Sequence, residues 1–309
     1  MPEQMERSIL IVEVLGLQDQ PANVALALAG NFTNNQTHTG VVTISDNGTT
    51  VNATDITAIE TAKPSGNINI TNGVALSGTG AKLKSAAEAL DTIHATTTAT
   101  VTDTSYTVAQ LKAINDKVGG AITLSTTDVT LSGSAADVKD ALAGSFTSAH
   151  NGTVKVTGTY DVTQLKAINA GTDGTIHLAN RSVALTGSAA NVALALAGNF
   201  TNNQTHTGVV TISDNGTTVN ATDITAIETA KPSGNINITN GVALSGTGAK
   251  LKSAAEALDT IHATTTATVT DTNYTVAQLK AINDKVGGAI TLSNTDVTLS
   301  GSAADLKDA

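Results

Sequence analysis

A long internal repeat restricts what this chain can fold into more than any other feature. Residues 22–141 match residues 190–309 at an offset of 168, and only three of these 120 aligned positions differ. Histidines recur at 56-residue intervals, at His38, His94, His150, His206 and His262, so each 168-residue block holds three units. A unit of this size is too small to bury its own apolar face, and such units gain stability by stacking on their neighbours.

The pattern inside one unit, residues 153–208, predicts alternating strands and short helices. Residues 153–159 alternate Val and Thr, which is typical of a half-buried strand. The other predicted elements are helices over 162–169 (with Asp161 as its cap) and 190–197, strand segments over 176–179 and 183–186, and the next unit's first strand over 209–212. We therefore expect an α/β fold, an elongated solenoid of stacked strand-helix repeats with mainly parallel sheets, in which each strand pairs with its copy in the next coil.

The chain divides by composition into a short N-terminal segment, 1–21, and a single repeat array of about 56-residue units, 22–309. Residues 8–17 correspond to 176–185 but are much more apolar, and a helix is predicted over 21–29. One interpretation is an N-terminal cap that buries the first strand. The other is an interaction strand that adds to the sheet of a neighbouring chain, formed by Ile9, Leu10, Ile11, Val12, Val14 and Leu15.

Charge and composition exclude several classes of partner. The chain has 16 Lys and Arg against 26 Asp and Glu, and this excess of negative charge argues against binding nucleic acid. No apolar run approaches the length of a transmembrane helix, so membrane insertion is not expected. The N-terminal apolar stretch is interrupted by Glu13 and gives no evident Sec signal.

The candidate chemistry is limited to the histidines and to scattered carboxylates. A row of imidazoles along one edge of a solenoid could bind metal or respond to acid pH. Without a carboxylate or a second histidine at a fixed spacing they make a poor ligand set, and duplication of one loop residue is the better explanation of the row. Structural calcium would have to use isolated oxygens, for which the candidates are Asp103, Asp128, Asp161, Asp271 and Asp296. No catalytic, cofactor-binding or metal-binding motif is present, so we expect neither an enzyme nor a bound cofactor.

The stretch DVTQLKAINAGTDGTIHLANRSVALTGSAANVALALAG, residues 161–198, resembles the Thr/Ala/Asp-rich repeat arrays of very large bacterial secreted and surface proteins, both adhesin-like and haemolysin-type. This resemblance implies an extracellular or cell-surface location and a scaffold or adhesive role.

We therefore expect a structural protein: a rod-like segment or subunit of an extracellular fibre, surface layer or adhesin stalk that assembles with copies of itself. The alternative is a carbohydrate- or cell-surface-binding repeat module. Its aromatic platforms would have to come from Tyr106, Tyr160 and Tyr274.

Overall fold

The computed structural model describes residues 21–30, 40–62, 65–200, 205–231 and 233–308. Strands and helices alternate throughout these ranges, which confirms the α/β class. The candidate interaction strand, from Ile9 to Leu15, and His38 lie outside the described residues.

Short strands and one-to-three-turn helices follow each other in a regular order. The helices are α1 (Pro21–Leu28), α2 (Ala53–Ala62), α3 (Gly80–Ala89), α4 (Val108–Lys117), α5 (Ala135–Leu142), α6 (Val162–Ala170), α7 (Ala189–Leu196), α8 (Ala221–Ala230), α9 (Gly248–Ala257), α10 (Val276–Asn283) and α11 (Ala303–Asp308). The strands are β1 (Val42–Ile44), β2 (Thr50–Asn52), β3 (Ile68–Ile70), β4 (Ala75–Gly78), β5 (Thr98–Val101), β6 (Ile122–Leu124), β7 (Leu131–Ser134), β8 (Val154–Thr157), β9 (Ile176–Leu178), β10 (Leu185–Gly187), β11 (Val210–Ile212), β12 (Thr218–Asn220), β13 (Ile236–Ile238), β14 (Ala243–Gly246), β15 (Thr266–Val269) and β16 (Ile290–Leu292).

The chain forms two compact units. The first consists of Met1–Val154 with Gly171–Gly174, and the second of Lys155–Ala170 with Thr175–Ala309. Each unit holds open, parallel sheets. In the first unit the strand orders are β1-β3 and β2-β4-β5-β6, and in the second they are β10-β11-β13 and β12-β14-β15-β16.

Strand pairing follows a shorter period than the sequence repeat. Val51 pairs with Leu76, Leu76 with Ala99, and Ala99 with Ile122, so that paired strands lie less than half a sequence repeat apart. The expectation that a strand pairs with its copy in the next 56-residue repeat is therefore wrong. Each 56-residue repeat contains two helices, and we call each helix with the strand or strands that precede it a pass. Each strand therefore forms its hydrogen bonds with a strand of the adjacent pass.

The core of each unit lies between its sheets and its helices. Val51, Leu76, Ala99 and Ile122 form one fully buried row across a sheet of the first unit. The helices bury stripes at helical spacing, such as Leu111 and Ile114 of α4. Successive helices pack on each other within each unit, so every pass is covered by its neighbours.

Local sequence signals explain where the helices begin. In α4, Thr107 and Gln110 form a capping box, in which each side chain bonds the backbone of the other residue. Asp161 caps α6 as predicted, because its Oδ1 accepts the Gln164 N–H at 2.8 Å. The helices predicted over 162–169 and 190–197 are confirmed as α6 and α7.

Candidate functional site

The histidines that recur at 56-residue spacing do not share one environment. His94 and His262 are exposed, whereas His150 and His206 are completely buried. These four described histidines therefore do not form a set of equivalent, accessible imidazoles.

The two exposed histidines make the same local contact. The Nδ1 of His94 lies 2.9 Å from Thr96 Oγ1, and that of His262 lies 2.9 Å from Thr264 Oγ1. Because each ring contacts a threonine two positions along the chain, this arrangement is a turn contact that duplication has copied.

His150, in the first unit, has a partner for both ring nitrogens. Its Nδ1 lies 3.2 Å from Thr172 Oγ1, and its Nε2 lies 2.8 Å from the carbonyl of Val129. Burial lowers the pKa of His150, although the Val129 carbonyl and the Asp128 carboxylate both favour the protonated ring. The ring therefore serves as a satisfied core residue that joins successive passes.

His206, in the second unit, has a different partner. Its Nδ1 lies 3.0 Å from the hydroxyl of Tyr160, and the two rings meet edge to face with centroids 6.0 Å apart. Its Nε2 is buried and has no hydrogen-bond partner. The other tyrosines bond backbone instead: Tyr106 donates to the carbonyl of Thr126 and Tyr274 to that of Asn294.

A buried lysine lies close to His206. Lys231 follows the last residue of α8, and its side chain has 0% exposure. Its Nζ donates one hydrogen bond, 2.8 Å long, to the carbonyl of Ser233. Gly234 beside it has a φ of +87°, and a Cβ atom there would lie 2.4 Å from the backbone oxygen of Thr207 and 2.7 Å from this Nζ, so the close packing here requires a glycine.

Arg181 adds a second cation and joins the same passes. Its Nε donates to the carbonyl of Thr205 at 2.7 Å, and its own carbonyl accepts N–H bonds from Thr207 and Gly208. These bonds hold the segment around His206 against the segment that follows β9. The second unit therefore contains a cluster, called the His206 cluster below, of Tyr160, Arg181, His206 and Lys231.

The electrostatics of the cluster oppose a charge on the imidazole. Burial and the neighbouring Lys231 lower the pKa of His206 to about 4, and Arg181 contributes to the same effect, while a hydrogen-bonding interaction with the backbone of Gly208 acts in the opposite direction. Burial also lowers the pKa of Lys231, against the attraction of Glu228 and Asp259. At neutral pH the imidazole is therefore uncharged.

The sequence analysis identified His206 but did not assign a role to Tyr160, Arg181 or Lys231 in this cluster. One signal was present: Arg181 is the only arginine of the array, since the other arginine of the chain is Arg7. The similar stretches 122–131 and 290–299 have Thr127 and Thr295 at the equivalent position. Stretch 176–185 differs from 122–131 at six of ten positions, and Arg181 is the position where it gains a positive charge, so this pass differs from the others here.

Several of the carboxylates considered for calcium accept backbone N–H groups at the starts of helices. Asp103 and Asp271 accept the first N–H of α3 and α9, from Gly80 and Gly248, each at 3.0 Å. Within the described ranges no group of three or more His, Cys, Asp or Glu side chains is arranged to hold a metal ion.

An open groove of about 640 Å³ lies in the second unit beside α7 and α8. Its lining mixes Leu196 and Phe200 with Thr222, Thr229 and Lys250. Neither His206 nor Lys231 lines this groove, so the groove and the His206 cluster are separate features.

Comparison with protein-family models finds no match, and comparison with curated proteins finds none. Among the described residues, no helix has both the length and the apolar character needed to cross a membrane.

Proposed function

We propose that this protein is structural: an elongated solenoid that serves as a rod-like segment or subunit of an extracellular fibre, surface layer or adhesin stalk. The observation that carries the proposal is the parallel pairing of successive passes within each unit, such as that of Val42 with Ile68 or of Ala243 with Thr266. Since every pass takes its hydrogen bonds and its apolar cover from the passes beside it, adding repeats extends the fold without changing it.

Side-chain bonds between passes support a mechanical role. The Nζ of Lys117 donates to the carbonyl of Leu90, near the end of the preceding helix, and Lys285 does the same to Leu258. Asn115 Nδ2 donates to the carbonyl of Asp140 on the following helix. Each of these bonds ties one helix to the next in addition to the backbone ladders, which favours stiffness over accessible binding surface.

The tyrosines do not favour the alternative, a carbohydrate-binding module. Sugar-binding platforms need an exposed aromatic face. Tyr106, Tyr160 and Tyr274 are only 3%, 4% and 6% exposed, and each hydroxyl is bonded within the protein. We therefore propose no carbohydrate site on them.

The length of a fibre would have to come from more than one chain of this size. Neighbouring strands are separated by about 4.8 Å, so a four-stranded sheet such as β12-β14-β15-β16 is only roughly 15 Å wide. We propose that copies join end to end, with Ile9, Leu10, Ile11, Val12, Val14 and Leu15 adding as a strand to the sheet of the next copy.

Negative-stain microscopy of concentrated protein tests this assembly. We expect filaments many times longer than a single chain, and we expect deletion of residues 1–20 to abolish them. Ile11→Asp should also abolish them, because it places a charge on an apolar strand, whereas the matched variant Ile11→Val should form filaments like the parent. Particles that stay monomeric at every concentration would contradict assembly, and filaments unaffected by Ile11→Asp would contradict the role of this segment.

A further inference from the structure

We propose that the His206 cluster is an acid-sensitive release point: protonation of the buried imidazole opens the passes that Tyr160, Arg181 and His206 hold together. The inference concerns the fold of a single chain, so it holds or fails independently of filament formation.

The hydrogen bonds of the cluster are arranged for a neutral ring. If the Tyr160 hydroxyl donates to Nδ1 of His206, the remaining proton of the neutral imidazole lies on Nε2, which has no partner. A protonated ring has two N–H donors and no acceptor. The hydroxyl of Tyr160 must then turn to accept, and the Gly208 backbone is the one remaining group that favours the charged ring.

The charged groups that act on His206 make protonation worse. Lys231 and Arg181 both repel a charged imidazole, and only the Gly208 backbone favours one. Glu228 and Asp259 act on Lys231, and no carboxylate is among the groups that favour protonation of His206. A further positive charge in a site with no exposed surface is strongly unfavourable unless the site opens to water.

The sign and the pH window follow from the pKa of His206, which is about 4 in the folded chain and 6.5 in an open, solvated segment. Above pH 6.5 neither form is protonated, and stability is fully present. As the pH falls below 6.5 the open form binds a proton first, so stability is lost until the pH reaches about 4. The local opening constant should rise about 30-fold by pH 5 and about 150-fold by pH 4.

His150 serves as the matched control within the same chain. It is equally buried, but its two ring nitrogens are bonded to Thr172 and Val129, and Asp128 favours its protonated form. Its neighbourhood therefore lacks both the unpaired nitrogen and the two cations. We expect a weaker acid response at His150 than at His206.

Hydrogen exchange measured by mass spectrometry on the full chain between pH 7.5 and 4.5 tests the proposal, after correction for the intrinsic exchange rate. Peptides covering 205–212 and 227–238 should open about 30-fold more readily at pH 5 than at pH 7.5. His206→Gln should remove this dependence, and His150→Gln should leave it unchanged. A flat profile in the parent protein, or an unchanged profile in His206→Gln, would overturn the proposal.

A direct titration of the ring by NMR covers the case in which His206→Gln does not fold. The His206 signal should titrate near pH 4, and in Lys231→Met its pKa should rise because one repelling cation is gone. A folded-state pKa of 6 or above, or no change in Lys231→Met, would show that the cluster is not acid-sensitive.

Discussion

At the scale of single residues, the two nearly identical blocks supply matched pairs, and Asp46 with Asp214 is the most informative. Asp214 Oδ2 accepts the N–H of Ala189, the first residue of α7, at 2.8 Å. The residue equivalent to Ala189 in the first block is Pro21, which has no N–H, and Asp46 Oδ2 is buried without a partner. In both blocks Oδ1 accepts from a threonine three residues later, Thr49 or Thr217, but Oδ2 has a partner only in Asp214.

We expect Asp214→Ala to destabilise the second unit by about 1–3 kcal/mol, because it leaves the N–H of Ala189 without its charged acceptor. Asp46→Ala should have a clearly smaller effect, since it removes only the long 3.3 Å bond from Thr49, which has its counterpart from Thr217 in the second block, and no bond to a helix N–H. Urea unfolding followed by circular dichroism measures both, and equal losses would contradict this account.

Residue-level prediction from sequence succeeded where the cause is local and failed where it is distant. Asp161 and the residue it caps lie within one helical turn of each other, so the cap was predictable. The burial of His206 depends on Tyr160, which belongs to a much earlier part of the chain. Neither the 56-residue period nor the neighbours of His206 in sequence carry this information. The sequence therefore provides no reason to treat one of the evenly spaced histidines differently from the others.

At the scale of elements, the helices were predictable and the pairing of the strands was not. In the sequence, α6 and α7 are each marked by apolar residues at helical spacing and by a glycine shortly after the last helical residue. The pairing period is shorter than the 56-residue repeat because the two passes of one repeat have similar shapes but different sequences. QLKAIN lies in α6 and VALALAG begins in α7, so sequence identity detects only every second pass.

Close approach of successive passes gives an element-scale prediction at Gly119. A Cβ atom there would lie 2.4 Å from the backbone oxygen of Ala95, which belongs to the preceding pass. We expect Gly119→Ala to destabilise the first unit by about 1–3 kcal/mol, because backbone on both sides must move apart. Lower urea midpoints would report this effect.

Gly301→Ala is the control for Gly119→Ala. A Cβ atom at Gly301 would make only ordinary contact, with Val276 side-chain atoms 3.6 Å away. Its urea midpoint should stay close to that of the parent protein. If both variants were equally stable, the close spacing of the passes at Gly119 would not be essential to the fold.

At the scale of the whole molecule, stability should depend on how many passes lie together. Strand β10 pairs with β11, which begins at Val210, and β11 pairs with β13, which begins at Ile236. A fragment of one 56-residue repeat, 153–208, therefore contains β10 without its partner. Its helices also lack the next helix, α8, on which α7 packs.

We expect fragment 153–208 to show no cooperative unfolding transition, and fragment 155–308, which retains the β10-β11-β13 and β12-β14-β15-β16 sheets, to unfold cooperatively. Urea titrations of both, followed by circular dichroism, give the comparison. The longer fragment should show a sigmoidal transition whose slope reflects the apolar surface exposed on unfolding, and the shorter one only a gradual change. A compact, cooperatively folding 153–208 would mean that the array is a string of independent domains, and stiffness transmitted through continuous ladders could not be its function.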